Sequence, residues 1–315
     1  MSRKIVLILL ALACAFSTGW GQMRFGQGFS GGIRPATVQF AVKDSIPLMM
    51  DIYEPENGKD AATVIFMFGG GFKGGRRNGF SETAWCSTLC RNGIRAVAID
   101  YRLGLKDMHK INLKSVGLLH NAITLAVEDL YSATAYLIDN CETMGIDTSR
   151  LVLAGSSAGA LSVLQAEYEI CNSHDIAGVL PPDFNYAGVM SFSGAVFTRD
   201  GRLRYRDKAP CPHMMLHGTA DHIVLYRGVK VFRQNFTGTH RIAKVFLKNG
   251  YPCVIMRFQD NGHEVAGAYN TLSDDCIDFI RKYVIDGSTA WSDALMADPA
   301  VQPAEWGRGN FSKLY

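Results

Sequence analysis

Four clusters of small or polar residues each follow an apolar run directly, and their types suit acyl transfer. The first is Gly155-Ser156-Ser157-Ala158-Gly159, after the run from Leu151 to Ala154. It reads as strand, sharp turn and helix, with Ser157 at the apex. That is the setting of a nucleophile elbow, in which a serine hydroxyl is pushed out of the sheet. Glycines at 155 and 159 remove the Cβ atoms that would collide across so tight a turn. Only Ser157 lies midway between them. There the next N–H, that of Ala158, would face the same oxyanion as a preceding glycine loop.

That loop is the second cluster, Gly69-Gly70-Gly71-Phe72. Acyl transfer builds charge on a carbonyl oxygen, and losing one backbone donor aimed at it costs about a hundredfold or more in rate. Gly70, Gly71 and Ala158 are the expected oxyanion donors, with Gly69 an alternative. No Gly-Lys-Ser/Thr ending follows the glycines, which disfavours a phosphate loop. The third cluster, His217-Gly218-Thr219-Ala220-Asp221, offers an aspartate to orient a histidine and stabilise its charge. The bland alternative for Asp221 is a turn or helix cap. The fourth, Asp260-Asn261-Gly262-His263-Glu264, offers His263 as general base. His222 is the rival base, but its place next to Asp221 makes a productive contact awkward. His213 and His217 are expected to be packed in or at the end of a strand. His109, His120, His174 and His240 have no supporting motif. Phe72 and Ser156 are the expected pocket residues, together with the segment 104–114 and an insertion over 195–209.

These clusters must be held by regular elements. Strands are expected over 37–42 and 48–53 as a hairpin, then over 62–68, 94–99, 151–154, 186–192, 213–217 and 253–258. Helices are expected over 81–92 from a serine start, and over 118–140, 157–172, 224–236 and 270–285. Strands alternating with helices imply one mostly parallel sheet covered on both faces, with the hairpin adding antiparallel strands at one edge. In such sheets functional loops leave the carboxyl ends of the strands, where all four clusters lie.

The chain has 315 residues, of which 48% are hydrophobic, enough to bury a large core. A net charge of +3 with no basic block argues against nucleic acid as partner. Ser2-Arg3-Lys4 and the apolar run from Ile5 to Phe16 read as a secretory signal peptide over residues 1–21. A lipid anchor at Cys14 is the lesser option. A loose segment over 22–36, an α/β domain over 37–286 and a packed tail over 287–315 complete the expected organisation, with Trp291 and Trp306 packed on the body. A secreted or periplasmic location follows, with no stable membrane insertion after cleavage. Seven cysteines would remain, an odd number, and Cys86 and Cys90 share a helix face that does not favour their pairing. There is no C-x-x-C pair, and the chemistry needs no metal or cofactor.

The combination resembles the α/β-hydrolase fold serine esterases, in the carboxylesterase, hormone-sensitive-lipase-like and acetylesterase group. The pieces that carry the resemblance are the run from Val64 to Phe72, Asp100-Tyr101-Arg102-Leu103, the elbow, His217 to Asp221 and Gly262-His263-Glu264. The order Ser157, Asp221, His263 is that of the fold. The resemblance implies that these three form a triad, with Gly70, Gly71 and Ala158 as oxyanion donors. It also implies an ester substrate, small or polysaccharide-linked, and acetyl or feruloyl esters of plant polysaccharides by analogy. One departure stands out: Phe68 replaces the histidine of hormone-sensitive-lipase-like members, so the loop must be held differently. A prolyl-oligopeptidase-like peptidase, a lipase and a non-catalytic binding module are the other readings. The first usually has an added domain, the second a larger apolar lid, and the third usually loses the serine or histidine.

Overall fold

The continuous apolar runs become the inner strands of a nine-stranded sheet in a computed structural model of the chain. The structure describes residues 33–56, 58, 61–106, 115–198, 201–231, 234–297 and 301. The strands are β1 (Ala36–Lys43), β2 (Ile46–Tyr53), β3 (Thr63–Met67), β4 (Arg95–Ile99), β5 (Leu151–Ser156), β6 (Gly188–Phe192), β7 (Ala195–Thr198), β8 (His213–Gly218), β9 (Val229–Val231), β10 (Gln234–Gly238), β11 (Cys253–Phe258) and β12 (Trp291–Met296). The main sheet runs β1-β2-β4-β3-β5-β6-β8-β11-β12. Every pairing from β4 to β12 is parallel, while β1 and β2 pair antiparallel with each other and β2 with β4. This is the expected parallel sheet with a hairpin at its edge. Asp44 and Ser45 close the hairpin at φ 51° and 63°, the left-handed pair that a two-residue turn between twisted strands requires.

Strands β3, β4, β5 and β6 are buried along their whole length, which is why Thr63-Val64-Ile65-Phe66-Met67 shows no polar alternation. The larger helices are α1 (Phe80–Arg91), α2 (Ser115–Asp139), α3 (Ala158–Cys171), α4 (Thr239–Asn249) and α5 (Ser273–Phe279), the last continued by a π-helical turn over Ile280–Ile285. Helix α1 packs with α5, and α2 with α3. Trp85 of α1 is fully buried among Phe66, Phe192 and Tyr269, with ring centroids 4.9, 6.3 and 5.8 Å away. On the other pair, the Tyr131 hydroxyl donates to the Ala166 carbonyl at 2.7 Å.

Several expectations change. Helix α1 starts at Phe80 behind Gly79, with no side-chain cap, so Ser81 is not its start. The segment from Ala195 is not wholly irregular: Ala195–Thr198 is β7, which pairs with β10 in a small three-stranded sheet, β7-β10-β9. The expected helix over 224–236 is instead the hairpin of β9 and β10. Phe236 there packs its ring on Phe197 at 5.4 Å. A Cβ at Gly228 (φ +72°) would lie 2.0 Å from the Phe236 carbonyl, so the chain must turn there rather than continue helically. Helix α4 went unanticipated, although Ile242, Ala243 and Phe246 form its buried stripe and left-handed Gly250 ends it. The tail contributes β12, a sheet strand parallel to β11, and Trp291 is 59% exposed rather than packed. The signal-peptide reading, Cys14, residues 107–114 and Trp306 lie outside the described residues. The seven cysteines described are all free thiols.

Candidate active site

Ser157 sits between β5 and α3 with φ 51° and ψ −111°, outside the region a serine ordinarily occupies. Its N–H donates to the Phe192 carbonyl at 2.9 Å, and its carbonyl accepts from Leu161 at 2.9 Å. The turn is pinned at both ends. Cβ atoms at Gly155 and Gly159 would lie 2.4 Å from the Gly159 carbonyl and 2.1 Å from the Met67 carbonyl, so both positions need glycine. Ala158 is the first residue of α3, where backbone N–H groups have no partner within the helix. A positive helix end therefore lies beside the Ser157 hydroxyl.

The glycine loop lies against this elbow: a Cβ at Gly69 would come within 3.4 Å of Ser157 Cβ. Gly70, Gly71 and Phe72 all have left-handed φ, of 127°, 62° and 59°. Lys73 and Gly74 both donate to the Gly70 carbonyl, which closes the loop. Phe68 is what holds it in place of a histidine. Its ring stacks on Tyr101 with centroids 4.4 Å apart, and the Tyr101 hydroxyl donates to the Phe68 carbonyl at 2.9 Å. The two expected pocket residues are placed otherwise. Phe72 has no accessible surface and turns its ring edge to Tyr101 in the core, because its left-handed backbone points it inward. Ser156 is buried and donates to the Ala266 carbonyl at 2.7 Å, which ties the elbow to the turn His263–Gly267.

The third and fourth clusters meet because β8 and β11 are adjacent and in register, Phe258 opposite Gly218. A Cβ at Gly218 would lie 2.2 Å from the Gly262 carbonyl and 2.3 Å from the Asn261 carbonyl. Ala220 donates to the Asn261 carbonyl at 2.9 Å, and Asp260 N–H to the Thr219 hydroxyl at 2.9 Å. Before His263, the buried Glu264 carboxylate accepts from Gly262 N–H at 2.7 Å and from the Asn261 amide at 3.1 Å.

Ser157, His263 and Asp221 come together in this frame. The Ser157 Oγ to His263 Nε2 distance is 2.8 Å, and His263 Nδ1 to Asp221 Oδ2 is 2.8 Å. A carboxylate only accepts, so the imidazole proton sits on Nδ1 and Nε2 is left to accept from the serine hydroxyl. The other Asp221 oxygen accepts from Ile223 and Val224 N–H at 2.8 and 3.0 Å. Burial pushes the Asp221 carboxyl up. The charge of His263 and hydrogen bonds from His217 and His263 outweigh it and hold the group well below the usual carboxylate range. His222 is exposed and takes no part in this chain of contacts. His217 is fully buried as expected, but it also lies 3.2 Å from Asp221, a contact the sequence reading did not anticipate. Tyr101 lies beneath the glycine loop, a place for which the sequence around it has no local signal.

Comparisons with known proteins support the fold. The BD-FAE family model matches residues 50–177, which take in the glycine loop and the elbow and stop short of Asp221 and His263. Lipase 2 of Moraxella sp. (strain TA144) is 33% identical over 113 residues, 35% of this chain and 22% of that protein. Carboxylesterase 5A of Felis catus is 29% identical over 119 residues, 37% of this chain and 20% of that protein. The match thus spans about a fifth of the length of these curated relatives. Among solved structures, esterase 2 of Thermogutta terrifontis, phosphoramylated by tabun, superposes with a TM-score of 0.58 at 20% identity. The superposition covers 81% of this chain and 96% of that one. The propionate-bound form of that esterase gives 0.57 at 18% identity, covering 82% and 97%. The chain has the α/β-hydrolase fold, with a segment similar to the BD-FAE family running from its second strand to just past the helix that follows the serine.

Proposed function

We propose that the protein is a serine hydrolase of carboxylic esters. The observation that carries this reading is the unbroken contact from Ser157 Oγ through His263 to Asp221, with the serine held at left-handed φ. In the reaction His263 Nε2 takes the hydroxyl proton as Ser157 Oγ attacks the ester carbonyl. Asp221 fixes the tautomer and stabilises the imidazolium. The tetrahedral oxyanion is received by N–H groups of Ala158 and the glycine loop, with Gly70 and Gly71 as the donors assigned. Collapse breaks the bond to the alcohol, which leaves with the proton from His263. Water, deprotonated by His263, then attacks the acyl-enzyme and releases the acid.

The names of the relatives, a lipase and a carboxylesterase, support ester substrates. Esterase 2 of Thermogutta terrifontis, which shares the fold, has been solved with propionate bound, and we take this to favour a short acyl group here. Acetyl esters head the proposed substrates, and feruloyl and acetyl groups on plant polysaccharides are the natural esters we assign, with action outside the cytoplasm after export. Hydrolysis of p-nitrophenyl acetate is the direct test. We expect turnover that falls by roughly 10⁴-fold or more in Ser157→Ala. We also expect a fluorophosphonate adduct found by mass spectrometry on Ser157 alone. Wild-type rates in the variant would refute the assignment. Acetylated xylan, methyl ferulate, long-chain esters and aminoacyl-proline amides, run side by side, separate an esterase from a lipase and from a peptidase. No turnover of any of them, with no adduct, would favour a binding module.

A further inference from the structure

Asp221 lies between two imidazoles. Its Oδ2 is 2.8 Å from His263 Nδ1 and 3.2 Å from His217 Nε2. His217 is the fifth residue of β8 and has no exposed surface. Its ring is fixed on both sides. Nε2 is 2.8 Å from the Val224 carbonyl, and Nδ1 is 2.8 Å from the Thr239 hydroxyl at the start of α4. The Val224 carbonyl and the Asp221 carboxylate are pure acceptors, so both require a proton on Nε2. The Thr239 hydroxyl has a second acceptor, the Gly194 carbonyl, at 3.4 Å. The ring thus carries a proton on Nε2, with Nδ1 set against the Thr239 hydroxyl.

The other groups around this ring are few. Tyr226 packs edge-on at 5.6 Å between centroids, and behind it Arg257 reaches the Tyr226 hydroxyl. Val224 supplies only its carbonyl. The titratable group His217 faces directly is Asp221. The Val224 peptide joins the two again: its N–H donates to Asp221 Oδ1 and its carbonyl accepts from His217. The carboxylate is thus held by two amides on one oxygen and by His263 on the other, with His217 Nε2 3.2 Å from that second oxygen.

We propose that His217 is a positioning residue for the reaction assigned above: its Nε2–H bonds the Val224 carbonyl at 2.8 Å and lies 3.2 Å from Asp221 Oδ2, so that the carboxylate keeps the rotamer that faces His263. The idea rests on that functional reading, yet its first test does not need turnover. In histidine-labelled protein, long-range ¹⁵N–¹H spectra should show His217 as the Nε2–H tautomer and His263 as the Nδ1–H tautomer at neutral pH. An Nδ1–H tautomer at His217 would overturn the proposal whether or not the protein hydrolyses esters.

The second test uses variants. His217→Leu fills the space but removes the donor, whereas His217→Gln keeps an N–H near the Nε2 position. With p-nitrophenyl acetate, His217→Leu should lower kcat ten- to a hundredfold with KM within about twofold. The far-downfield His263 Nδ1–H signal should shift or broaden in the same variant. His217→Gln should recover most of both. A purely structural histidine would instead lower Tm in both variants, with kcat per folded molecule and the His263 signal unchanged, and that pattern would sink the idea. Thr239→Val, which frees the ring while leaving the donor, should give a smaller loss of kcat in the same direction. If His217→Leu does not fold, the tautomer measurement and Thr239→Val still decide.

Discussion

In the proposed reaction Ser157 is a weak nucleophile, and each neighbour supplies something it lacks. His263 gives a base at 2.8 Å, Ala158 an amide at a helix start, and Ser156 a tie to the turn that carries the base. Asp221 acts through His263 alone, so its worth lies in the tautomer it selects. Asp221→Asn would offer an amide where a carboxylate accepted, and the imidazole proton would favour Nε2. We expect kcat to fall about 10⁴-fold with little change in KM, read from steady-state kinetics at neutral pH. The residues of this chain of contacts were legible because each stands in a short motif at the end of an apolar run. Tyr101, Thr239 and the Asp221 contact of His217 were not legible in role. Their partners are 33, 22 and 4 residues away, and only the folded arrangement of loops makes those contacts. Phe72 and Ser156 were misplaced for a related reason. Proximity in sequence to the loop and the elbow says nothing about the side to which a strained backbone turns its side chain.

The elements that carry these residues are locked at their ends. β8 and β11 leave the sheet side by side, and their loops approach so closely at Gly218 that a single methyl group meets two carbonyls. Gly218→Ala should therefore push the Asp221 loop from the His263 turn. We expect a loss of about 1–3 kcal/mol in urea unfolding, together with a fall in kcat larger than the stability change accounts for. Unchanged kcat in a folded variant would show that the two loops are not held by this contact. The main strands and α2 and α3 were legible from long apolar runs and helical spacing. The small sheet β7-β10-β9 was not, because its strands are three to five residues long and β7 lies far from its partner in sequence. What anchors β7 is a side chain: Gln165 of α3 accepts from Phe197 N–H at 2.9 Å and donates to its carbonyl at 3.1 Å. Nothing in the order of residues announces such a bridge.

At the scale of the whole molecule, one buried histidine contributes to the response to acid. His213 is fully buried against Phe246, 4.5 Å between ring centroids, and its Nδ1–H donates to the Cys211 carbonyl. Burial pushes its pKa down to about 4 from 6.5, so the fold holds it neutral. Between those values the unfolded chain binds more protons, and stability falls as pH drops from about 6.5 through about 4. The full loss amounts to about 3 kcal/mol. Asp221, held low, contributes stability that is lost only below its unfolded value near 3.8, while burial raises the carboxyls of Glu82, Asp129 and Glu167, which act in the opposite sense to His213 as pH falls. Urea unfolding at pH 7 and 4.5 should show this loss in the wild type and a flatter dependence in His213→Asn, which keeps a donor for Cys211. Equal slopes would exclude His213 as the source.

The distances along the chain between the contacting groups carry a consequence in time. Ser157 and His263 are 106 residues apart, and Ser156 and Ala266 are 110 apart. Closing loops of that length is slow and comes after local helices and hairpins have formed. A chain emerging from the ribosome therefore presents Ser157, the elbow and the glycine loop well before His263, the proposed base, can reach them. Hydrolysis during refolding should lag behind the recovery of helical circular dichroism, and its onset would mark the moment when β11 joins the sheet.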